Sequence, residues 1–180
     1  MGSARREAET VARVAARAKH MMGSGEGQRL SFEQAVAWEG LLEVSRRLRR
    51  DAEEALIEGH DLTISMLGIT GRLALAPACT LRQTVLAEAM GLSLSRVSRV
   101  IDVLEQRGLV ERLRCPSDAR ATDVRLTPQG AALTSGAQAE LLGHVQRCFL
   151  DRLSASEVQT LASVFSRLVG SAPEVPGAGS

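Results

Sequence analysis

Apolar positions recur every three or four residues through most of this 180-residue chain, the period of helices with one buried face. In the opening stretch, Ala8, Val11, Ala12, Ala15 and Ala18 fall at helical spacing among Arg5, Arg6, Arg13, Arg17 and Lys19. Gly23-Ser24-Gly25-Glu26-Gly27 follows, with the composition of a flexible linker. Ser31-Phe32-Glu33-Gln34 then reads as a capping box. The helix it starts carries Trp38, Leu41, Leu42, Ser45, Leu48, Ala52 and Leu56 along one stripe, and Gly59 is expected to end it. A second helix follows Thr63, runs through Ile64, Leu67 and Leu73, and stops before Pro77, since a following proline disfavours helical geometry. Arg82 to Met90 predicts a short helix packed through Leu86, Ala87 and Met90. Gly91 breaks it, Ser93 caps the next, and that helix runs to Arg107 before Gly108.

At Gly108 the period changes. Leu109–Arg114 and Thr122–Thr127 read as strands, with Val124 and Leu126 alternating with Asp123 and Arg125, and Cys115 to Arg120 is expected to be the loop between them. Thr127-Pro128 opens a further helix, its stripe running Leu133, Ala137, Leu141, Val145 and Phe149 to about residue 152. Ser154-Ala155-Ser156-Glu157 is a second capping box, ahead of Val158, Leu161, Ala162, Phe165, Leu168 and Val169. The predicted fold is mainly α with a small β-hairpin wing. Helix, tight glycine turn, helix and hairpin is the order of a winged helix-turn-helix domain, here residues 62–127. Residues 31–61 and 128–170 form a helical dimerisation region, because their stripes exceed what the small winged lobe can bury. Residues 171–180 read as a disordered tail. Residues 1–30 read as an extension, a tag or flexible arm by their Met1-Gly2-Ser3 and His20-Met21 junctions, the alternative being a DNA- or partner-binding arm.

Composition narrows the class without naming it. Hydrophobic residues at 44% and charged residues at 24% suit a globular chain. No apolar run is long enough to span a bilayer and no cleavable leader opens the chain, so a cytoplasmic protein with no membrane partner is expected. Cys79, Cys115 and Cys148 are too few and too scattered for a disulfide framework. A net charge of +1 offers no global attraction for nucleic acid, so that case must be local. It rests on the helix after Ser93. Val97, Val100, Ile101 and Leu104 turn to the core, leaving Ser95, Arg99, Asp102 and Gln106 outward, flanked by Arg96 and Ser98. Hydroxyls permit close approach in a major groove and arginines grip guanine or phosphate. The bland alternative is a solvated face. Arg112, Arg114, Arg120 and Arg125 on the hairpin favour the DNA reading, since a wing can carry a guanidinium into a minor groove.

The segments Leu86-Ala87-Glu88-Ala89-Met90-Gly91-Leu92-Ser93, Val97-Ser98-Arg99, Leu104-Glu105-Gln106-Arg107-Gly108-Leu109-Val110-Glu111-Arg112 and Asp118-Ala119-Arg120-Ala121-Thr122-Asp123-Val124-Arg125-Leu126-Thr127 resemble the MarR family of bacterial regulators. The resemblance implies a homodimer that binds double-stranded DNA at a pseudo-palindromic operator and represses transcription, released by a small-molecule effector. It assigns major-groove contacts to Ser93, Ser95, Arg96, Ser98 and Arg99, and the wing to Arg114, Asp118 and Arg120. Arg120 would enter the minor groove and Asp118 would brace it. One departure is Arg82, where the family has a Thr or Ser cap. Loss of that cap costs about 1 kcal/mol unless the helix starts later, at Thr84. The rival reading is a winged-helix protein-interaction module that binds no DNA.

Other chemistry is weak. His144 and Cys148, four residues apart on one helix, have metal-ligand spacing, and His60 could complete a site, but a core cysteine is the plainer reading and no metal or cofactor is expected. Cys115 between Arg114 and Arg120 has the setting of an activated thiol, against the plainer reading of an inert loop cysteine. Trp38, Met66 and Arg72 could line an effector cavity, although Trp38 is expected in the core. Phosphate loops, nucleophile elbows and zinc-protease spacings are missing from the sequence, so no enzyme is expected.

Overall fold

The computed structural model describes residues 2–21, 30–115 and 118–170, with side chains placed at 8–20, 30–113 and 122–170. The chain divides into two units, Met1–Glu54 and Ala55–Ser180. The first is built from α1 (Gly2–Met21) and most of α2 (Phe32–His60). The capping box at α2 is reciprocal: Ser31 N donates to Gln34 Oε1 at 2.8 Å, and Gln34 N donates to Ser31 Oγ at 3.2 Å. Arg13 Nη2 lies 3.0 Å from Glu43 Oε1, and Arg17 Nη1 lies 3.9 Å from both Glu39 and Glu43. Those pairs run in opposite directions along the two helices, which makes an antiparallel helical pair. Residues 2–21 of the opening extension thus form a helix laid along α2, as the helical spacing of their alanines allows. The buried side chains among those described in this unit are all alanines, Ala18, Ala35 and Ala52. The large apolar residues face elsewhere. Trp38, expected in the core, is 50% exposed, and Leu41, Leu42 and Val44 lie open beside it.

The second unit holds the core. Leu56 at the end of α2 packs in one cluster with Leu62, Leu67, Ile69 and Leu73 of α3 (Ile64–Leu75) and its approach. Leu86 of α4 (Gln83–Met90) and Val97, Ile101 and Leu104 of α5 (Leu94–Gln106) join it, as do Val110 and Val124 of the sheet. The sheet has three antiparallel strands in the order β1-β3-β2: β1 (Thr80–Arg82), β2 (Val110–Cys115) and β3 (Asp118–Leu126). The expected two-stranded hairpin therefore gains a third strand, with Leu81 paired to Val124. It enters through a tight turn in which Ala78 and Cys79 are left-handed, at φ 51° and 52°. The expected loop from Cys115 to Arg120 is also shorter than predicted, because β2 continues to Cys115 and β3 begins at Asp118.

α2 does not end at Gly59. It runs through His60, and the chain reverses at Asp61, which is left-handed at φ 52°. Gly59 instead makes room for α6 (Pro128–Cys148), since a Cβ there would sit 2.6 Å from Glu140 Oε2. Thr63 caps α3 and Thr127 caps α6, each hydroxyl accepting from a backbone N–H. α6 ends at Cys148, short of the expected residue 152, and a single tight turn over Leu150–Arg152 follows. α7 (Ala155–Val169) starts at the full Ser154–Glu157 capping box and buries none of its residues. No helix among the described residues is long and apolar enough to cross a membrane.

Candidate nucleic-acid interface

The presentation of α5 follows from its two faces. Val97, Ile101 and Leu104 are fully buried, which fixes the rotation of the helix about its axis. Gly91 turns the chain between α4 and α5 at φ 60°, a conformation that suits glycine. Ser93 Oγ accepts from Arg96 N at 3.3 Å and sits 3.1 Å from Ser95 Oγ. Ser93, Ser95, Arg96 and Arg99 are exposed and Ser98 is half-buried. Neither Arg96 nor Arg99 meets an acidic side chain among the described residues. The helix therefore offers hydroxyls and two uncommitted guanidinium groups at its N-terminal end, where the peptide dipoles add to the attraction for phosphate. Arg82 takes the N-cap position of α4 with no side-chain capping bond, and α4 starts at Gln83 rather than shifting to Thr84.

The wing carries less free charge than its sequence suggests. Arg112 does not face outward: Nη2 lies 2.6 Å from Asp102 Oδ1 and 3.2 Å from Ser98 O, and Nη1 pairs with Glu105 Oε2. Arg125 Nε donates to Glu111 Oε1 at 2.7 Å, across the register of β2 and β3. That hydrogen bond holds the Arg125 guanidinium still further above its ordinary value. Both arginines are thus held by carboxylates, which sequence reasoning could not see because the partners sit on neighbouring elements. In the backbone, Arg114 pairs with Thr122 and Cys115 with Asp118, with a break in register between Arg114 and Cys115. The side-chain assignments to Arg114, Cys115, Asp118 and Arg120 lie outside the described side chains.

One further residue ties α5 to its surroundings. Arg107, which closes the helix, donates from Nη1 to Asp61 O and from Nη2 to His60 O at 3.3 Å, and Nη2 lies 3.4 Å from the Asp61 carboxylate. Its guanidinium caps the carbonyl end of α2, where the helix dipole favours a cation. A basic residue just before Gly108 was the only sequence sign of it. The candidate metal ligands are divided between two pairs. His60 Nε2 lies 2.7 Å from Glu140 Oε2, and Cys148 Sγ lies 3.7 Å from His144 Nδ1. No three His, Cys, Asp or Glu side chains among the described residues come together in a way that would hold an ion.

A helix-turn-helix whose second helix is exposed at its N-terminus, preceded by a short strand and followed by a hairpin that pairs with that strand in one three-stranded sheet, defines the winged helix class. Residues 75–122 match the MarR family model. AbsC, a MarR family transcriptional regulator from Streptomyces coelicolor, is 28% identical with a TM-score of 0.73, the match covering 80% of this chain and 97% of that one. A second MarR family transcriptional regulator from the same organism, solved in complex with DNA, is 25% identical with a TM-score of 0.74, covering 85% of this chain and 95% of its own. A mutant MarR from E. coli complexed with operator DNA is 26% identical with a TM-score of 0.65, covering 76% and 96%. The chain is thus similar to the MarR family over residues 75–122 and shares the fold of solved MarR family transcriptional regulators.

Proposed function

We propose that this protein is a homodimeric repressor that reads a pseudo-palindromic DNA operator through Ser93, Ser95, Arg96, Ser98 and Arg99, with Arg114, Asp118 and Arg120 of the wing supporting affinity. The observation that carries the reading is the pair Arg96 and Arg99, exposed and free of acidic partners on a helix whose other face is locked in the core. Similar folds solved with DNA support it. The dimer is supported by α7, which fully buries none of its residues within its own chain and exposes Phe165, Leu168 and Val169. On this reading residues 31–61 and 128–170 serve the dimer and 62–127 the DNA.

The test is selection of duplexes from a random pool, followed by titration of the enriched sequence. A two-fold motif whose half-sites lie about 34 Å apart, or a multiple of that, is the expected result. Enrichment of no motif would favour the protein-interaction module. Release by a small effector is checked in the same format, by adding small aromatic acids to the preformed complex.

A further inference from the structure

The sequence counts Arg112 among the cations of the wing, yet both of its Nη groups turn back onto α5. Its guanidinium reaches Asp102, Glu105 and the Ser98 carbonyl, and its backbone N donates to Glu105 Oε1 at 3.0 Å. Residues 98, 102 and 105 are spaced four and three apart, so the acceptors form one stripe along α5. A planar fork with several N–H donors spans such a stripe, and a single ammonium does not. The Arg112 side chain is 24% exposed, and charge-assisted bonds there are stronger than at an open surface.

We propose that Arg112 is a positioning residue: it brackets the base of the wing against α5, so that both engage neighbouring stretches of the duplex as one rigid unit. This rests on the DNA-binding reading above. The bracket accounts for two carboxylates on a helix otherwise fitted to a polyanion. Asp102, three residues after Arg99, is half exposed and has its charge matched by Arg112.

Glu105→Ala provides the decisive test, because electrostatics and positioning predict opposite signs. Removing a negative charge beside DNA should tighten binding if charge alone matters. Positioning predicts binding weaker by roughly 2- to 150-fold, the range that corresponds to a coupling of contacting residues. Arg112→Met should weaken it similarly, and the double variant should lose no more than the worse single. Arg112→Lys should recover only part of the loss. Preference for A·T-rich flanks, set by the wing, should fall in all of these variants while discrimination within the half-site persists; a general loss of stability would move neither selectively. Amide exchange of the free protein gives a readout without DNA: Glu105→Ala should speed exchange in β2 and β3 and leave α3 unchanged. If Arg112→Met does not fold, Glu105→Ala and Arg112→Lys decide. Tighter or equal binding by Glu105→Ala, additive losses, or unchanged exchange in the wing overturns the proposal. Failure of the wild-type protein to bind any selected duplex, with wing exchange still raised, refutes the DNA-binding reading while leaving the bracket in place.

Discussion

Replacing Gly130 by alanine tests whether the start of α6 is as tightly seated as the geometry implies. A Cβ at this position would lie 2.0 Å from Leu109 O and 2.8 Å from Leu126 Cδ1, where ordinary contact begins near 3.4 Å. The obstacle is mainly backbone, so no rotamer change relieves it; the first turn of α6 must move by more than an ångström. That turn is held by a compact set of bonds: Thr127 N to Leu109 O at 3.1 Å, Thr127 Oγ1 to Gly108 O at 2.8 Å, and Gly130 N to Thr127 Oγ1 at 3.0 Å. Overpacking costs about 1–3 kcal/mol, and one or two strained hydrogen bonds add about 0.5–1.5 kcal/mol each. The sum is roughly 1.5–6 kcal/mol, which for a chain of this size lowers the melting temperature by about 3–24 °C. Gly136→Ala in the same helix is the control. There the nearest atom to a new Cβ is His60 Cε1 at 3.5 Å, so the change should be neutral or stabilise by up to about 1 kcal/mol, by reducing the freedom of the unfolded chain. Thermal unfolding followed by circular dichroism at matched concentration compares the two. A Gly130→Ala melt within about 2 °C of wild type would refute the argument that this backbone approach is fixed.

Arg99→Ala should weaken operator binding by about 1–3 kcal/mol and relax preference at one position per half-site, whereas Arg120→Ala should weaken all sites and lower the salt slope by about one unit per half-site. Titrations on matched and mutated duplexes at several salt concentrations separate these outcomes, and identical behaviour of the two variants would contradict the division of labour. Leu168→Asp, on the open face of α7, should convert a dimer at micromolar concentration to a folded monomer, as read by light scattering; an unaltered mass would exclude α7 from the interface. The Glu157 carboxyl is held below the usual carboxylate range by hydrogen bonds from the Ser154 hydroxyl and backbone. Its contribution to α7 is therefore present above the ordinary glutamate value and lost as pH falls through the lower folded one. Glu157→Gln should remove that part of the acid dependence of helicity, and an unchanged acid limb would show that the box does not hold the helix.

The elements whose signals are local were legible in the sequence. Ser31, Thr63, Ser93, Thr127 and Ser154 each cap a helix with their own hydroxyl, and Gly91 turns the chain as its type requires. The outward face of α5 was equally legible, because Val97, Ile101 and Leu104 fix the rotation of the helix and leave Arg96 and Arg99 only the solvent side. Tertiary partners were not legible. β1 is three residues long, too short for alternation to register, and it exists through its pairing with β3. α2 outruns Gly59 because its end is set by Asp61, held by an arginine 46 residues away. Arg112 and Arg125 look like free charge in sequence, and only the neighbouring helix and strand reveal their carboxylates.

The attachment of α1 sets it apart energetically. Its only fully buried described side chain is Ala18, and its remaining hold on α2 includes Arg13 and Arg17, about half exposed, against Glu39 and Glu43. Small side chains remove little apolar area from water, and surface ion pairs weaken as salt rises. α3, with Ile69 and Leu73 in the core, has no such dependence. Little apolar burial therefore holds α1, and it is expected to open by local unfolding at a lower free energy than the core. Raising ionic strength should therefore loosen the ion-paired part of the hold on α1 while leaving the core of the second unit unaffected.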